Sequence, residues 1–179
     1  ILRILTQKPY DIGDRVCFIN TGDSELKLNN GPLLGGLIIE KYDLYTTTVR
    51  QGITGERSTF ANGSILLDNT RVVNWKRSQR ANVLFLLKFP VHIRREQIQI
   101  FRKLIMEWIK DHPREWVNLD VFRAVNVDSE LKCVEYNVVL RHKESWHNYS
   151  AVEQSKSDTL IFLLELQNKI QNELPMRVG

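Results

Sequence analysis

What the 179-residue sequence has little of excludes several classes of protein at once. It holds two cysteines, Cys17 and Cys133, far apart and each inside an apolar strand pattern. That count rules out a disulfide scaffold and suits two buried thiols in a reducing compartment, with a single disulfide as the alternative. No apolar run approaches the about 18 residues that a bilayer-spanning helix needs. Val83–Leu87 is strand-sized, and Arg3 interrupts the apolar start Ile1, Leu2, Ile4, Leu5 before it reaches the length of a signal peptide. A chain that begins without methionine on the tail of an apolar segment reads as a piece of something longer. There is no Gly-rich phosphate loop, no nucleophile elbow and no carboxylate pair, so we expect no enzyme and no cofactor. His142, Glu144 and His147, with Cys133 nearby, are metal-ligand types without metal-ligand spacing, and they read as a solvated polar loop. His92 and His112 are more scattered still. The net charge of +4 permits contact with anions, lipid head groups or nucleic acid and demands none.

What is present is an ordinary globular composition, 42% hydrophobic and 26% charged, long enough to bury a core in one domain or two. Short β-rich runs fill the first half: Arg15–Ile19, Leu37–Lys41, Thr46–Arg50, Arg57–Ala61 and Ile65–Leu67. Gly, Asn and Asp clusters separate them, which suits a small five-stranded antiparallel barrel. A polar Asn20–Gly36 loop forms a long hairpin tip. The character changes near Asn74. A strand over Val83–Phe89 is followed by a helix over Arg95–Lys110 with Ile98, Phe101, Leu104, Ile105 and Trp108 on one face, stopped by Pro113. Alternating strands over Val117–Val127 and Leu131–Arg141 follow, turning at Asp128-Ser129-Glu130, with Val134, Tyr136, Val138 and Leu140 on one face. Ser150-Ala151-Val152-Glu153 has the pattern of a capping box and opens a helix striped with Leu160, Leu163, Leu166, Ile170 and Leu174. The fold class is therefore β followed by α+β: the barrel, then a ferredoxin-like β-α-β-β-α layer.

Four segments resemble, in order, those of the small-conductance mechanosensitive channel family. Pro9-Tyr10-Asp11-Ile12-Gly13-Asp14-Arg15-Val16 is similar to the signature where that family's pore-lining helix enters its barrel domain. Pro9 ends a helix and Gly13-Asp14 supplies a turn. Leu44-Tyr45-Thr46-Thr47-Thr48-Val49-Arg50 resembles the barrel strand with its paired threonines. Phe60-Ala61-Asn62-Gly63-Ser64-Ile65 resembles the Pro-Asn-Gly/Ser turn, with Ala61 in place of the proline. Val73-Asn74-Trp75-Lys76-Arg77-Ser78 is similar to the stretch leaving the barrel, and His112-Pro113-Arg114-Glu115-Trp116 to the plant and protist branch. A further departure is Leu37 where the family has a barrel glycine, with Gly36 one place early.

The resemblance implies a subunit of a homoheptameric, osmotically responsive ion channel, an integral membrane protein with this region in the cytoplasm or an organelle interior. It implies residues 1–8 as the end of the pore helix, 9–74 as an Sm-like barrel and 75–179 as an α/β vestibule domain with a basic linker at 75–80. The bilayer would be reached through helices ahead of this chain. Pro9, Tyr10, Asp11, Gly13 and Asp14 become the pore-to-barrel junction that transmits gating, with a well-made turn as the plain reading. Asn62 and Gly63 become the barrel turn, and Lys76, Arg77 and Arg80 line a side opening that passes ions. The rival is an Sm-like RNA-binding module, with Trp75 stacking bases and Lys76, Arg77 and Arg80 neutralising phosphates. A second basic cluster, Lys88, His92, Arg94 and Arg95, could serve it, although a solvated surface is the plainer reading and no specific nucleic-acid partner is expected.

Overall fold

The computed structural model describes residues 8–20, 35–65 and 70–173. The expected Asn20–Gly36 hairpin tip falls largely outside them, as do residues 1–7 and Leu174. Two compact units divide the chain. The first reaches Gln79 and includes Ser145–Tyr149; the second takes Arg80–Glu144 and the residues from Ser150 onward.

The first unit is an antiparallel sheet of β1 (Arg15–Asn20), β2 (Leu37–Tyr42), β3 (Thr46–Gln51), β4 (Arg57–Ala61) and β5 (Thr70–Asn74), in the order β4-β3-β2-β1-β5. Strand alternation sends Val16, Ile39 and Val49 into one core with Tyr10, while Phe18, Leu37, Tyr42 and Val72 pack around it. The Tyr10 ring meets Phe18 and Tyr42 edge-on, each at 6.0 Å. Four strands fall where the sequence places them, but the fifth does not. Ile65 ends a helical turn, α1 (Asn62–Ile65), and the strand lies at Thr70–Asn74 instead. Of the expected Ile65–Leu67 run, Leu66 and Leu67 lie outside the described residues. β5 pairs with every residue of β1 but the first, and such pairing outweighs composition because β propensity mostly reports packing context. Among the described residues no ladder joins β4 to β5, which stand at the two edges of the sheet.

In the second unit β6 (Asn82–Pro90), β7 (Trp116–Asp128) and β8 (Cys133–His142) form a sheet ordered β6-β8-β7. Helices α2 (Arg95–Asp111) and α3 (Tyr149–Glu173) complete a β-α-β-β-α order. Both helices use one sheet face: Phe101 of α2 packs on Phe89 and Phe122, and Ser155 of α3 meets His142. The buried face of α2 is Phe101, Ile105 and Ile109, so Ile109 belongs to the stripe and Trp108 sits at its border, stacked between His112 and Phe162. On α3 the buried row runs Val152, Ser155, Thr159, Leu163, Leu166 and Ile170. Leu160, expected inside, is exposed with Ile161 and Leu164. Ser155 and Thr159 hide the helical period from a hydrophobicity count; their hydroxyls bond internally, Thr159 to the Ser155 carbonyl at 2.6 Å. The helix begins at Tyr149, one residue before the expected cap Ser150. Both cysteines are free, Cys133 buried and Cys17 half-buried, and burial pushes the Cys17 thiol up.

Candidate functional site

The residues expected at the junction, in the barrel turn and on the basic linker come from three parts of the sequence. In the first unit most of them fall into two hydrogen-bonded networks that, among the described residues, meet only through the backbone at Pro9–Asp11. The first starts with a turn at residues 11–14, where the Asp14 amide donates to the Asp11 carbonyl at 3.0 Å. Gly13 has φ +83, a left-handed conformation that glycine adopts without steric cost, and its amide bonds the Ile39 carbonyl at 2.8 Å. The turn aims the Asp14 carboxylate inward, where it is 2% exposed.

A buried carboxylate persists only if its oxygens are satisfied. Asp14 Oδ2 accepts from the Asp11 amide at 2.9 Å and from Asn74 Nδ2 at 2.7 Å, and Lys76 Nζ lies 3.3 Å from Oδ1. Burial alone would raise the Asp14 pKa. The bonds from Asn74, the Asp11 amide and Lys76 outweigh burial and hold it below the usual carboxylate range. Asn74 is the hub, a role that nothing in its own motif singles out. Its amide also donates to the Pro9 carbonyl at 3.2 Å, and its Oδ1 accepts the Lys76 and Arg77 amides at 3.1 and 3.2 Å. Arg77 Nη1 donates to the Lys8 carbonyl at 2.7 Å, and Nη2 to Asp11 Oδ2 at 3.0 Å. The segment that enters the sheet is thereby tied to the segment that leaves it.

The second network runs inward from Tyr10. Thr47 Oγ1 donates to Asn62 Oδ1 at 2.7 Å, so the Tyr10 hydroxyl, 3.0 Å from Thr47, is the donor to it. Asn62 closes it, donating from Nδ2 to the Asp43 carbonyl and from its amide to the Tyr45 carbonyl, both at 2.7 Å. All three side chains are buried, and burial raises the Tyr10 pKa. The paired threonines therefore have different work: Thr47 joins this buried chain, while Thr46 donates to Asp43, whose carboxylate pins the hairpin turn. Gly63 takes no part and is exposed.

Lys76 and Arg77 spend their charge on Asp14 and Asp11, whereas Arg80 is exposed and makes no ion pair among the described residues. Trp75 is 7% exposed, with its ring so close to Gly36 that a β-carbon there would lie 2.2 Å from it. A buried indole cannot stack on a base, so the RNA reading loses its aromatic platform. Lys88 of the second basic cluster is paired with Glu135 at 2.9 Å.

His142 corrects another expectation. It is a core residue, 2% exposed, and not part of a solvated loop. Its Nδ1 accepts the Glu144 amide at 3.0 Å, so Nε2 carries the proton and donates to Ser155 Oγ at 3.2 Å. Burial pushes its pKa down. Among the described residues no three His, Cys, Asp or Glu side chains are grouped to hold a metal, and no helix is long and apolar enough to cross a membrane.

No family model matches the sequence, and no curated protein does either. Solved structures do. A cryo-EM structure of Arabidopsis thaliana MSL1 matches with a TM-score of 0.65 at 12% identity, over 94% of this chain and 53% of that one. Another, of wild-type AtMSL1, matches at 0.66 and 13%, over 94% and 52%. The crystal structure of Helicobacter pylori MscS in its closed state matches at 0.64 and 12%, over 99% and 60%. The chain thus spans little more than half the length of the structures it matches. They are mechanosensitive channels, not enzymes. At this identity the likeness is one of fold, and over nearly its whole length the chain has the fold of MscS-like mechanosensitive channels.

Proposed function

We propose that this chain forms the wall of the vestibule below the pore of a tension-gated ion channel, as one subunit of a homoheptameric ring. The observation that carries the reading is the fold match across 94–99% of the chain to channels of plant and bacterial origin. Residues 9–74 are the Sm-like barrel domain and 75–179 the α/β domain, with ions passing through openings beside the linker. Tension acts on helices that precede this region, and the vestibule region assembles the ring and filters solutes. Arg80 supplies the linker's uncompensated charge, since carboxylates already neutralise Lys76 and Arg77.

The strand order supports a ring. Among the described residues β4 and β5 are the edges of the first sheet, and the β4 side chains are exposed. Exposed edge strands favour covering by another strand. A head-to-tail contact of β4 with the β5 of a second copy is heterologous, and such a contact builds a ring when its rotation closes. The test is disulfide trapping in the full-length protein in membranes with Ser58→Cys on β4 and Arg71→Cys on β5. The reading expects a ladder of linked species that stops at seven subunits. Absence of links between copies, or an open-ended ladder, contradicts it.

A further inference from the structure

Lys8 has φ +39, a left-handed conformation rare for a residue with a side chain. It stands directly before Pro9, where the proline ring favours extended backbone. Strained residues persist only where their surroundings hold them, and they collect at switches. What holds Lys8 is specific: the Arg77 guanidinium grips the Lys8 carbonyl at 2.7 Å with one nitrogen and Asp11 at 3.0 Å with another. One residue on, Asn74 holds the Pro9 carbonyl at 3.2 Å.

The two grips differ in strength. Asn74 anchors on buried Asp14 at 2.7 Å. Arg77 Nε reaches the same carboxylate only at 3.8 Å, and its closer partner at 3.0 Å is Asp11; Arg77 and Asp11 are 48% and 56% exposed, a pair that water and salt weaken. Gly13 and Asp14 are fixed to the sheet, while Lys8 and Asp11 are held by a contact that can open, with Lys8 bent by it. From this geometry we infer that Arg77 is a releasable latch. Closed, it keeps the backbone bent at Lys8; open, Lys8 relaxes to the extended form favoured before proline, and the chain's direction of approach to Pro9 changes. Resting on the channel reading above, the inference names a regulated element in it: latch release is coupled to the tension-driven transition. The planar fork is essential, because one ammonium cannot reproduce two diverging bonds.

The test uses the full-length protein in lipid vesicles. Hydrogen exchange over residues 8–14 reads the latch directly, whatever the protein conducts. Arg77→Gln should speed exchange there by about three- to tenfold, with Arg77→Lys intermediate. Adding Lys8→Asn, which tolerates the left-handed region, should restore slow exchange; adding Lys8→Gln, equally uncharged but without that tolerance, should not. Unchanged exchange in Arg77→Gln, or equal behaviour of the Asn and Gln variants, overturns the latch. Patch recordings read the coupling: Arg77→Gln and Lys8→Asn should move the tension threshold in opposite directions. Thresholds that stay fixed while exchange responds overturn the coupling. Loss of all tension-evoked current in the wild type, with the exchange pattern intact, removes the channel reading and leaves the latch standing.

Discussion

Replacing Asp14 by Ala tests the network at its most buried charge. Among the described residues the change removes the acceptor of the Asp11 amide, the shorter of two bonds made by Asn74 Nδ2 and the 3.8 Å approach of Arg77 Nε. Lys76, half exposed, returns to water at little cost. Each stranded donor costs about 1–3 kcal/mol, and the change strands the Asp11 amide and weakens the Asn74 amide's satisfaction. We expect a loss of about 1–3 kcal/mol for Asp14→Ala and about half that for Asp14→Asn, which keeps one accepting oxygen. Asp11→Ala breaks only the exposed pair and should cost about 0.2–1 kcal/mol. Because the chain has two units, a single unfolding transition is unsafe; hydrogen exchange of β1 and β5 peptides against urea isolates the first unit. The pH dependence follows from the lowered pKa of Asp14. Its contribution is complete above the ordinary aspartate value of about 4 and is lost as pH falls through the folded value. Wild type should weaken over that range, and Asp14→Asn should not share that component. Equal costs for Asp14→Ala and Asp11→Ala, or identical acid profiles for wild type and Asp14→Asn, would refute the reasoning.

The Tyr10–Thr47–Asn62 chain predicts that Thr47→Val, which leaves two buried partners unpaired, destabilises the first unit by about 1–3 kcal/mol. Tyr10→Phe in the same background should add less than it costs alone, read by urea midpoints. Gly36→Ala should cost more than about 2 kcal/mol, since Gly36 has φ +66 and the new methyl would collide with Trp75; unchanged Trp fluorescence and stability would contradict the packing. His142 keeps the second unit stable by staying neutral, so stability is full above about pH 6.5 and falls as pH drops through its lowered folded value. His142→Gln should remove that acid-side slope, measured by thermal melts across pH. If the chain serves as proposed, Arg80→Glu should shift the reversal potential in asymmetric salt toward cations more than Arg77→Glu does, because the Arg77 charge is already paired.

The parts of this molecule legible in the sequence are those with a repeating signal. Alternation located β7 and β8, a strand-sized apolar run located β6, and a three-to-four spacing located α2. Where burial is satisfied by hydroxyls the signal fades: Ser155 and Thr159 continue the inner row of α3, and Leu160 on the outer face imitates it. β5 was hidden for another reason, since Ile65–Leu67 offers a better strand composition than Thr70–Asn74, and what marks β5 is its ladder with β1, which no local pattern shows. The junction turn could be read from Pro9 and Gly13-Asp14, and the basic linker from Lys76 and Arg77. That these charges neutralise one another could not, because their partners are more than 60 residues apart. Asn74 as the hub and Lys8 as the strained residue are properties of tertiary placement alone, without any local sequence pattern.

The central claim is that this fold serves as the vestibule of a tension-gated channel, and one recording tests it most directly. The full-length protein is reconstituted in lipid vesicles, and patches are stretched by stepwise suction while current is measured. The account predicts discrete, tension-dependent openings that vanish when suction is released. Vesicles that demonstrably contain the inserted protein yet pass no current up to the tension at which the membrane ruptures would contradict it.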